Sequence, residues 1–296
     1  MDKKALISDI KRFAVHDGDG VRTTVFFKGC PLKCVWCHNP EGISFKSEVA
    51  YYSHKCIGCM ECVEVCPTGA HKASDKGHIF DRNLCIGCSK CAKNCLGNAL
   101  QFYGKEVTVE ELLPKLLEDK DFYQTGGGGV TLSGGECLSR WEFCLDLLKR
   151  LKENDINTAV DTCGFVSKDV LKSIAEYTDT FLYDIKAIDR EVHKKCTGQY
   201  NDVILENIKY LDSINAKIEV RYPFVPNLNS GEAEKIADFL KDFNNLTKVR
   251  VLPYHNYAAS KYASLDIENT LPDTLPSDAQ LEKAKEYFKA QKIEVV

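Results

Sequence analysis

A chain of 296 residues with fifteen cysteines and 39 lysines and arginines against 43 acidic residues, net charge -4, is long enough for one large α/β domain or for a domain carrying an inserted module. The near balance of charge, without a basic run, argues against nucleic acid as the main partner, and no apolar segment approaches the roughly 20 residues that span a bilayer. The opening Met1-Asp2-Lys3-Lys4 lacks the apolar core of a signal peptide, so a cytoplasmic protein with no membrane partner is expected.

In chain order, residues 1–20 are polar with scattered apolar positions and end in His16-Asp17-Gly18-Asp19-Gly20, where closely spaced glycines mark a turn. Positions 22–29 read as a strand, because their Thr-Thr-Val-Phe-Phe run is β-branched and aromatic. A cysteine cluster follows, with Cys30, Cys34 and Cys37 in a C-x3-C-x2-C pattern. Three thiolates hold a cubic four-iron cluster by three corners and leave the fourth iron for a substrate or cofactor. That is the design of a catalytic metal site rather than a closed structural one.

From position 48 the composition shifts. Cys56-x2-Cys59-x2-Cys62-x3-Cys66-Pro67 is repeated 29 residues later as Cys85-x2-Cys88-x2-Cys91-x3-Cys95, with Leu96 where a proline usually follows. In this bacterial ferredoxin pattern the fourth cysteine of each run ligates the other run's cluster. One cluster is therefore assigned to Cys56, Cys59, Cys62 and Cys95, and the other to Cys85, Cys88, Cys91 and Cys66. Disulfides suit small secreted domains better than tight C-x2-C runs, and zinc asks for separated ligand pairs. Residues 50–103 are read as a ferredoxin-like insert and 1–49 with 104–296 as the host domain. Cys137, Cys144, Cys163 and Cys196 lie outside the clusters and are expected to pack as small hydrophobes.

Beyond the insert, helices are expected over 106–118, 141–153, 168–177, 203–214, 232–243 and 278–291, the second with Phe143, Leu147, Leu148 and Leu151 on one face. Strands are expected over 130–132, 158–161, 180–185, 217–224 and 248–253. Six strands in βα order imply a parallel sheet, and six units suit a partial, TIM-like (β/α)6 barrel, with a doubly wound sheet as the competitor. Function in either fold sits on the loops after the strands. Those loops carry the cysteine cluster, Ser133-Gly134-Gly135-Glu136, Asp161-Thr162-Cys163-Gly164, Asp184-Ile185-Lys186, Arg221-Tyr222-Pro223 and Pro253-Tyr254-His255. Each has a dull explanation alone; six polar endings on six strands do not.

C-x3-C-x-aromatic-C, with Trp36 as the aromatic, followed by Gly134-Gly135-Glu136, resembles the radical S-adenosylmethionine superfamily. More narrowly, the chain resembles the activating enzymes of glycyl radical enzymes that carry a ferredoxin insert. The likeness extends from Asp17-Gly-x-Gly-x-Arg22 through Cys37-His38-Asn39-Pro40 to His255, with Asp19 and Cys137 standing where the family usually has proline. The resemblance implies three [4Fe-4S] clusters and S-adenosylmethionine chelated at the open iron of Cys30, Cys34 and Cys37. Its reductive cleavage yields a 5'-deoxyadenosyl radical that takes hydrogen from a backbone glycine of a partner enzyme. It further implies a cofactor pocket formed with Trp36, in which Gly134 and Gly135 lie along the methionine moiety and Glu136 accepts from its ammonium. Arg221 and Lys186 would take the carboxylate and His255 would lie by the adenine. Asp161 and Asp184, with main-chain oxygens of Thr162 and Leu182, would hold a monovalent cation, Na+ or K+. A monomer served by a flavodoxin or ferredoxin-type donor is expected. The extra clusters have three readings, an electron relay (favoured), a docking surface or a brace. A sulfatase-maturing type of radical enzyme and a plain electron carrier are the other functional classes. The insert speaks against the short pyruvate formate-lyase type of activase, and dehydratase, decarboxylase and carbon-nitrogen lyase partners stay open, with the Cys-His-Asn-Pro-Glu run at 37–41 inclining the reading to a hydroxyproline dehydratase type.

Overall fold

The computed structural model describes residues 3–75 and 77–296; Met1, Asp2 and Lys76, which fall within the expected host and insert segments, lie outside the described residues. The chain opens on β1 (Lys4–Ala14), which pairs antiparallel with β2 (Arg22–Phe27). Residues 1–20 were expected to form no element. The Ala-Leu-Ile run blurs period-two alternation, and only Ala5, Ile7 and Ala14 of β1 are fully buried, so the strand signal was weak.

The segment expected as an insert is led in by β3 (Glu48–Tyr51) and runs through α1 (Glu61–Glu64), the hairpin β4 (His71–Ser74) with β5 (Gly77–Phe80), and α2 (Lys90–Lys93). It closes with β6 (Leu100–Tyr103), antiparallel to β3. The 29-residue repeat persists in the backbone: Gly58 and Gly87, and Met60 and Ser89, all have positive φ just ahead of the two short helices.

Next comes β7 (Lys105–Thr108), antiparallel to β1, and then α3 (Val109–Leu117). The helix expected from 106 therefore starts later, because Val107 and Thr108 pair with β1 and Thr108 caps α3 in a capping box with Glu111. The remainder runs α4 (Lys120–Gly126), β8 (Gly129–Gly134), α5 (Trp141–Glu153), β9 (Asn157–Thr162), α6 (Lys168–Ala175), β10 (Thr180–Asp184) and α7 (Arg190–Thr197). It ends with α8 (Asp202–Ser213), β11 (Ile218–Phe224), α9 (Ala233–Leu240), β12 (Leu246–Pro253), α10 (Ala259–Leu265) and α11 (Asp278–Ala290). The helices α4, α7 and α10 carry no periodic apolar signal that predicts them from sequence. The strongly polar α7 is delimited by an Asp189 cap and Gly198 in the left-handed region rather than by an apolar stripe.

The main sheet has the order β12-β11-β10-β9-β8-β2-β1-β7, with the six strands from β2 to β12 parallel. Those six follow one another across the sheet in chain order without the reversal of a doubly wound sheet, and the two edge strands do not pair, as in a barrel left open. The core forms between sheet and helices. Phe143, Leu147, Leu148 and Leu151 of α5 are fully buried against it, each contributing about 1.5–3 kcal/mol of transfer free energy.

At the edge, the buried Asp119 carboxylate accepts from Arg12 and from Thr23 Oγ1. The Arg12 hydrogen bond holds its carboxyl below the usual range although burial opposes this. Asp119→Asn is expected to cost about 1–2 kcal/mol at pH 7 by urea unfolding. The native pKa is the lower one, so this contribution is present above the ordinary carboxyl range and disappears as pH falls through the native pKa. The difference between variant and parent shrinks in that window.

Candidate active site

The loop after β2 is tied down on every side. Gly29 N donates to Gly42 O and Cys30 N to Ile43 O, while Lys33 N and Val35 N donate to Thr197 O and Cys196 O at the end of α7. Tyr262 Oη on α10 donates to Cys37 O (3.0 Å), and Lys261 Nζ reaches Glu41 (2.5 Å). Beneath the loop, the fully buried Lys28 ammonium bonds Glu41 O and the Glu48 carboxylate, each at 2.6 Å. A flexible thiol-bearing segment is thereby fixed in one shape.

This loop roofs a cavity of about 590 Å³ lined by Cys30, Cys34, Cys37 and the expected strand ends. Gly134, Gly135, Asp161, Thr162, Asp184, Lys186, Arg221 and His255 all reach it, as does Trp36, which also packs on Cys196, Val225 and Tyr254. Arg221 donates to Asp161 Oδ2 (3.1 Å) and His16 O (2.8 Å), Ser133 Oγ donates to the same Asp161 oxygen (2.6 Å), and Lys186 meets Asp184 (2.5 Å). Burial pushes Asp161 up to about 6, with Asp184 adding to this and Arg221 opposing it. Burial works against the charges of Arg221 and Lys186, but the neighbouring aspartates outweigh it and raise both pKa values. His255 stacks on His38 with ring centroids 3.8 Å apart, and His38 Nε2 donates to His255 O (2.5 Å).

Two expected residues are placed differently. Glu136 is buried outside the cavity lining: its carboxylate accepts from Thr162 Oγ1 (2.8 Å), Cys163 N (2.8 Å) and Leu138 N (3.0 Å), fastening the end of β8 to that of β9. Leu182 lies inside β10 opposite Asp161 in the parallel ladder and does not line the cavity. The glycines also have a prior duty. A Cβ on Gly134 would lie 2.2 Å from Phe27 N, and one on Gly135 would lie 2.4 Å from Gly42 O. Asp19, in the usual proline position, pins its turn by pairing with Lys248 (2.9 Å) and Lys217 (3.3 Å). His38, Arg250 and Val296 line the cavity without having been singled out. His38 had a signal in the Cys-His-Asn-Pro run, whereas Val296 arrives through a bridge between Val295 and Val249 that leaves no local pattern.

The donor set fits an iron-sulfur cluster. All fifteen cysteines are free of disulfides, and burial raises the Cys30, Cys34 and Cys37 thiols, Cys37 to about 12. Three half-buried thiols facing one cavity lack a cation adequate to their ionised form, and iron would supply one. Of the unclustered cysteines, Cys137, Cys144, Cys163 and Cys196 are all buried. Within residues 50–103, Cys56, Cys59, Cys62 and Cys95 line one small cavity with Tyr51 and His78, and Cys66, Cys85, Cys88 and Cys91 line another with His71. Burial opposes ionisation of Cys66, but hydrogen bonds from Thr68, His71 and Ala70 pull its thiol down to about 7.

The radical SAM superfamily profile matches residues 24–240. The chain is 40% identical over 294 residues to the trans-4-hydroxy-L-proline dehydratase activating enzyme of Clostridioides difficile, covering 96% of each chain. It is also 40% identical over 303 residues to the choline trimethylamine-lyase activating enzyme of Oleidesulfovibrio alaskensis, covering 96% of this chain and 95% of that one. Among solved structures, Streptococcus suis SuiB bound to the precursor peptide SuiA aligns with 90% of this chain and 45% of its own at a TM-score of 0.52 and 14% identity, a likeness of fold. These relatives favour an activating enzyme over a sulfatase-maturing type. The chain thus belongs to the radical SAM superfamily and, within it, to the activating enzymes of glycyl radical enzymes, which use a [4Fe-4S] cluster and S-adenosylmethionine to generate a glycine radical on a partner.

Proposed function

We propose that this activating enzyme carries three [4Fe-4S] clusters, binds S-adenosylmethionine in the 590 Å³ cavity and serves a dehydratase of the hydroxyproline type. The observation that carries the binding reading is the convergence of Cys30, Cys34 and Cys37 with Arg221, Lys186 and His255 on one cavity. When bound, the cluster and S-adenosylmethionine supply the electron and the adenosyl group for radical chemistry. Arg221 and Lys186 offer fixed cations for the methionine carboxylate, His255 offers a flat face for the adenine, and backbone at Gly134 and Gly135 borders the methionine. Asp161, Asp184 and Thr162 form the anionic side where a monovalent cation, Na+ or K+, would sit beside the carboxylate. Glu136 acts on the ligand indirectly, by holding the β8 and β9 ends in register. Equal identity to relatives whose named partners differ leaves the 37–41 run as the feature favouring hydroxyproline dehydratase.

The test is anaerobic incubation of the reconstituted protein with S-adenosylmethionine, dithionite and purified candidate partners, following 5'-deoxyadenosine and the glycyl radical by EPR. Formation of 5'-deoxyadenosine is expected, with the strongest radical on the dehydratase. No 5'-deoxyadenosine refutes the binding reading, and a stronger radical on a choline lyase refutes the partner.

The two cysteine quartets, each around its own cavity, support residues 50–103 as a two-cluster ferredoxin-like insert within a host of 1–49 and 104–296. Full ligation suits them to relaying electrons from a flavodoxin or ferredoxin-type donor. Among the described residues no helix is long and apolar enough to cross a membrane; a cytoplasmic, monomeric enzyme is part of the same proposal. Replacing Cys59 and Cys88 by alanine is expected to cut activation by a protein donor at least about tenfold, a change of about 1.4 kcal/mol in barrier, and to spare more of the dithionite-driven rate. Wild-type rates with both reductants would eliminate the relay.

A further inference from the structure

His71 and His78 face each other across the β4–β5 hairpin, between the two small cavities of the insert. His71 lines the one built by Cys66, Cys85, Cys88 and Cys91, and His78 the one built by Cys56, Cys59, Cys62 and Cys95. Their rings lie 5.0 Å apart at 25°, and His71 Nδ1 is 2.8 Å from His78 Nε2. The pair is wedged between aromatic neighbours, with Phe80 stacked on His71 at 4.4 Å and Tyr51 edge-on to His78 at 4.6 Å. The other nitrogen of His78, Nδ1, is buried and finds no hydrogen-bond partner among the described residues. In the tautomer where His78 Nε2 accepts from His71, this Nδ1 carries the hydrogen and needs an acceptor.

The Cys62 sulfur and one ring nitrogen of each histidine lie within 4.8 Å of one another, which raises a mononuclear metal site as a rival. Geometry disfavours it. Two nitrogens on a tetrahedral ion at 2.0–2.1 Å would stand about 3.3 Å apart, whereas these are at hydrogen-bonding distance, 2.8 Å. Two ring nitrogens at 2.8 Å can only meet with one proton between them, one donating and the other accepting.

We propose that His71 and His78 form a hydrogen-bonded bridge between the two auxiliary sites, in which His71 Nδ1–H donates to His78 Nε2 and His78 Nδ1–H donates to a sulfur of the cluster held by Cys56, Cys59, Cys62 and Cys95. The inference rests on the two-cluster reading of the insert. Donation to a cluster sulfur stabilises the more negative, reduced state and raises the potential. At the other end the backbone N–H of His71 donates to the Cys66 thiol, so the pair touches both quartets. The histidines are positioning residues for the clusters and do not ligate them.

The test is a potentiometric titration of the reconstituted holoenzyme followed by EPR, with iron and zinc analysis, on wild type, His78→Phe and His78→Asn. With about twelve irons per chain retained, His78→Phe is expected to lower the reduced-to-oxidised ratio of this cluster about tenfold at fixed solution potential, 59 mV for a one-electron couple. His78→Asn, whose amide N–H can reach the same acceptor, is expected to recover most of that shift. An unchanged potential in His78→Phe at full iron content overturns the bridge, as does loss of iron from both variants, which would make the pair a brace. One zinc per chain in wild type that disappears with His78 also overturns it, in favour of the mononuclear site. Only about four irons in wild type would refute the two-cluster reading itself, a result distinct from failure of the bridge alone.

Discussion

Cys34→Ala is expected to bring 5'-deoxyadenosine formation down to background, a loss of at least about a thousandfold, equivalent to about 4 kcal/mol in barrier. Reconstituted protein should also lose about a third of its iron, on the proposal of three equal clusters. Cys34 is the middle thiol of the three that line the cavity, and Val35 next to it is pinned to Cys196 O. Two thiols would leave two corners of a cubic cluster unprotected and erase the distinction on which ligand chelation depends. Turnover within tenfold of wild type would show that Cys34 is not a ligand. Since Lys186, Arg221 and His255 are anchored by Asp184, Asp161 and His38 rather than by the thiol, S-adenosylmethionine affinity measured on the iron-free protein should change much less than turnover.

Gly134→Ala is the second large effect, and it needs no bound group. Gly134 has φ +112°, and an added Cβ would sit 2.2 Å from Phe27 N and 2.4 Å from Phe27 O. Neither atom can swing aside, because both are backbone of β2, the strand that delivers the cysteine loop. A strained φ costs about 1–3 kcal/mol, and overpacking adds about 1–3 kcal/mol, so destabilisation of about 3 kcal/mol or more is expected. Urea unfolding of the iron-free chain measures it; a change below 1 kcal/mol would mean that the β2–β8 seam yields. By contrast, no neighbour lies within 4 Å of a Cβ built on Gly69, which makes that residue the control for space, though its own positive φ of 66° still carries a conformational cost.

The features legible in the sequence share a physical basis, chemistry concentrated at short range. Cysteine spacing records which sulfurs can meet, and β-branched runs record strands buried on both faces, so the parallel strands and α5 emerged from pattern alone. The strand ends carrying Asp161, Lys186 and Arg221 stood out because polar groups interrupt apolar runs where a sheet opens. What escaped depends on long-range partners. β1 is half exposed and becomes a strand only by pairing with β2 and β7. Glu136 looked ligand-facing because its motif is short and polar, but the backbone N–H groups of Leu138 and Cys163 and the hydroxyl of Thr162 capture its carboxylate first. The cavity contributions of Arg250 and Val296 arise from packing at the far edge of the sheet, where neither residue forms part of a motif.

The short helix α10 touches both halves of the molecule. Arg82 of the insert bonds the carbonyls of Ser264 on α10 and Val49 on β3, while Tyr262 and Lys261 of the same helix grip the cysteine loop through Cys37 O and Glu41. Residues 50–103 and the cysteine loop are therefore both tied to one strut. On the proposal that the two quartets relay electrons, a strut of this kind would keep the transfer distance, and with it the rate of supply, a constant of the architecture. On that same proposal, a donor docking on residues 50–103 would not have to wait for a domain to swing, and would face the cavity at the same distance on every encounter.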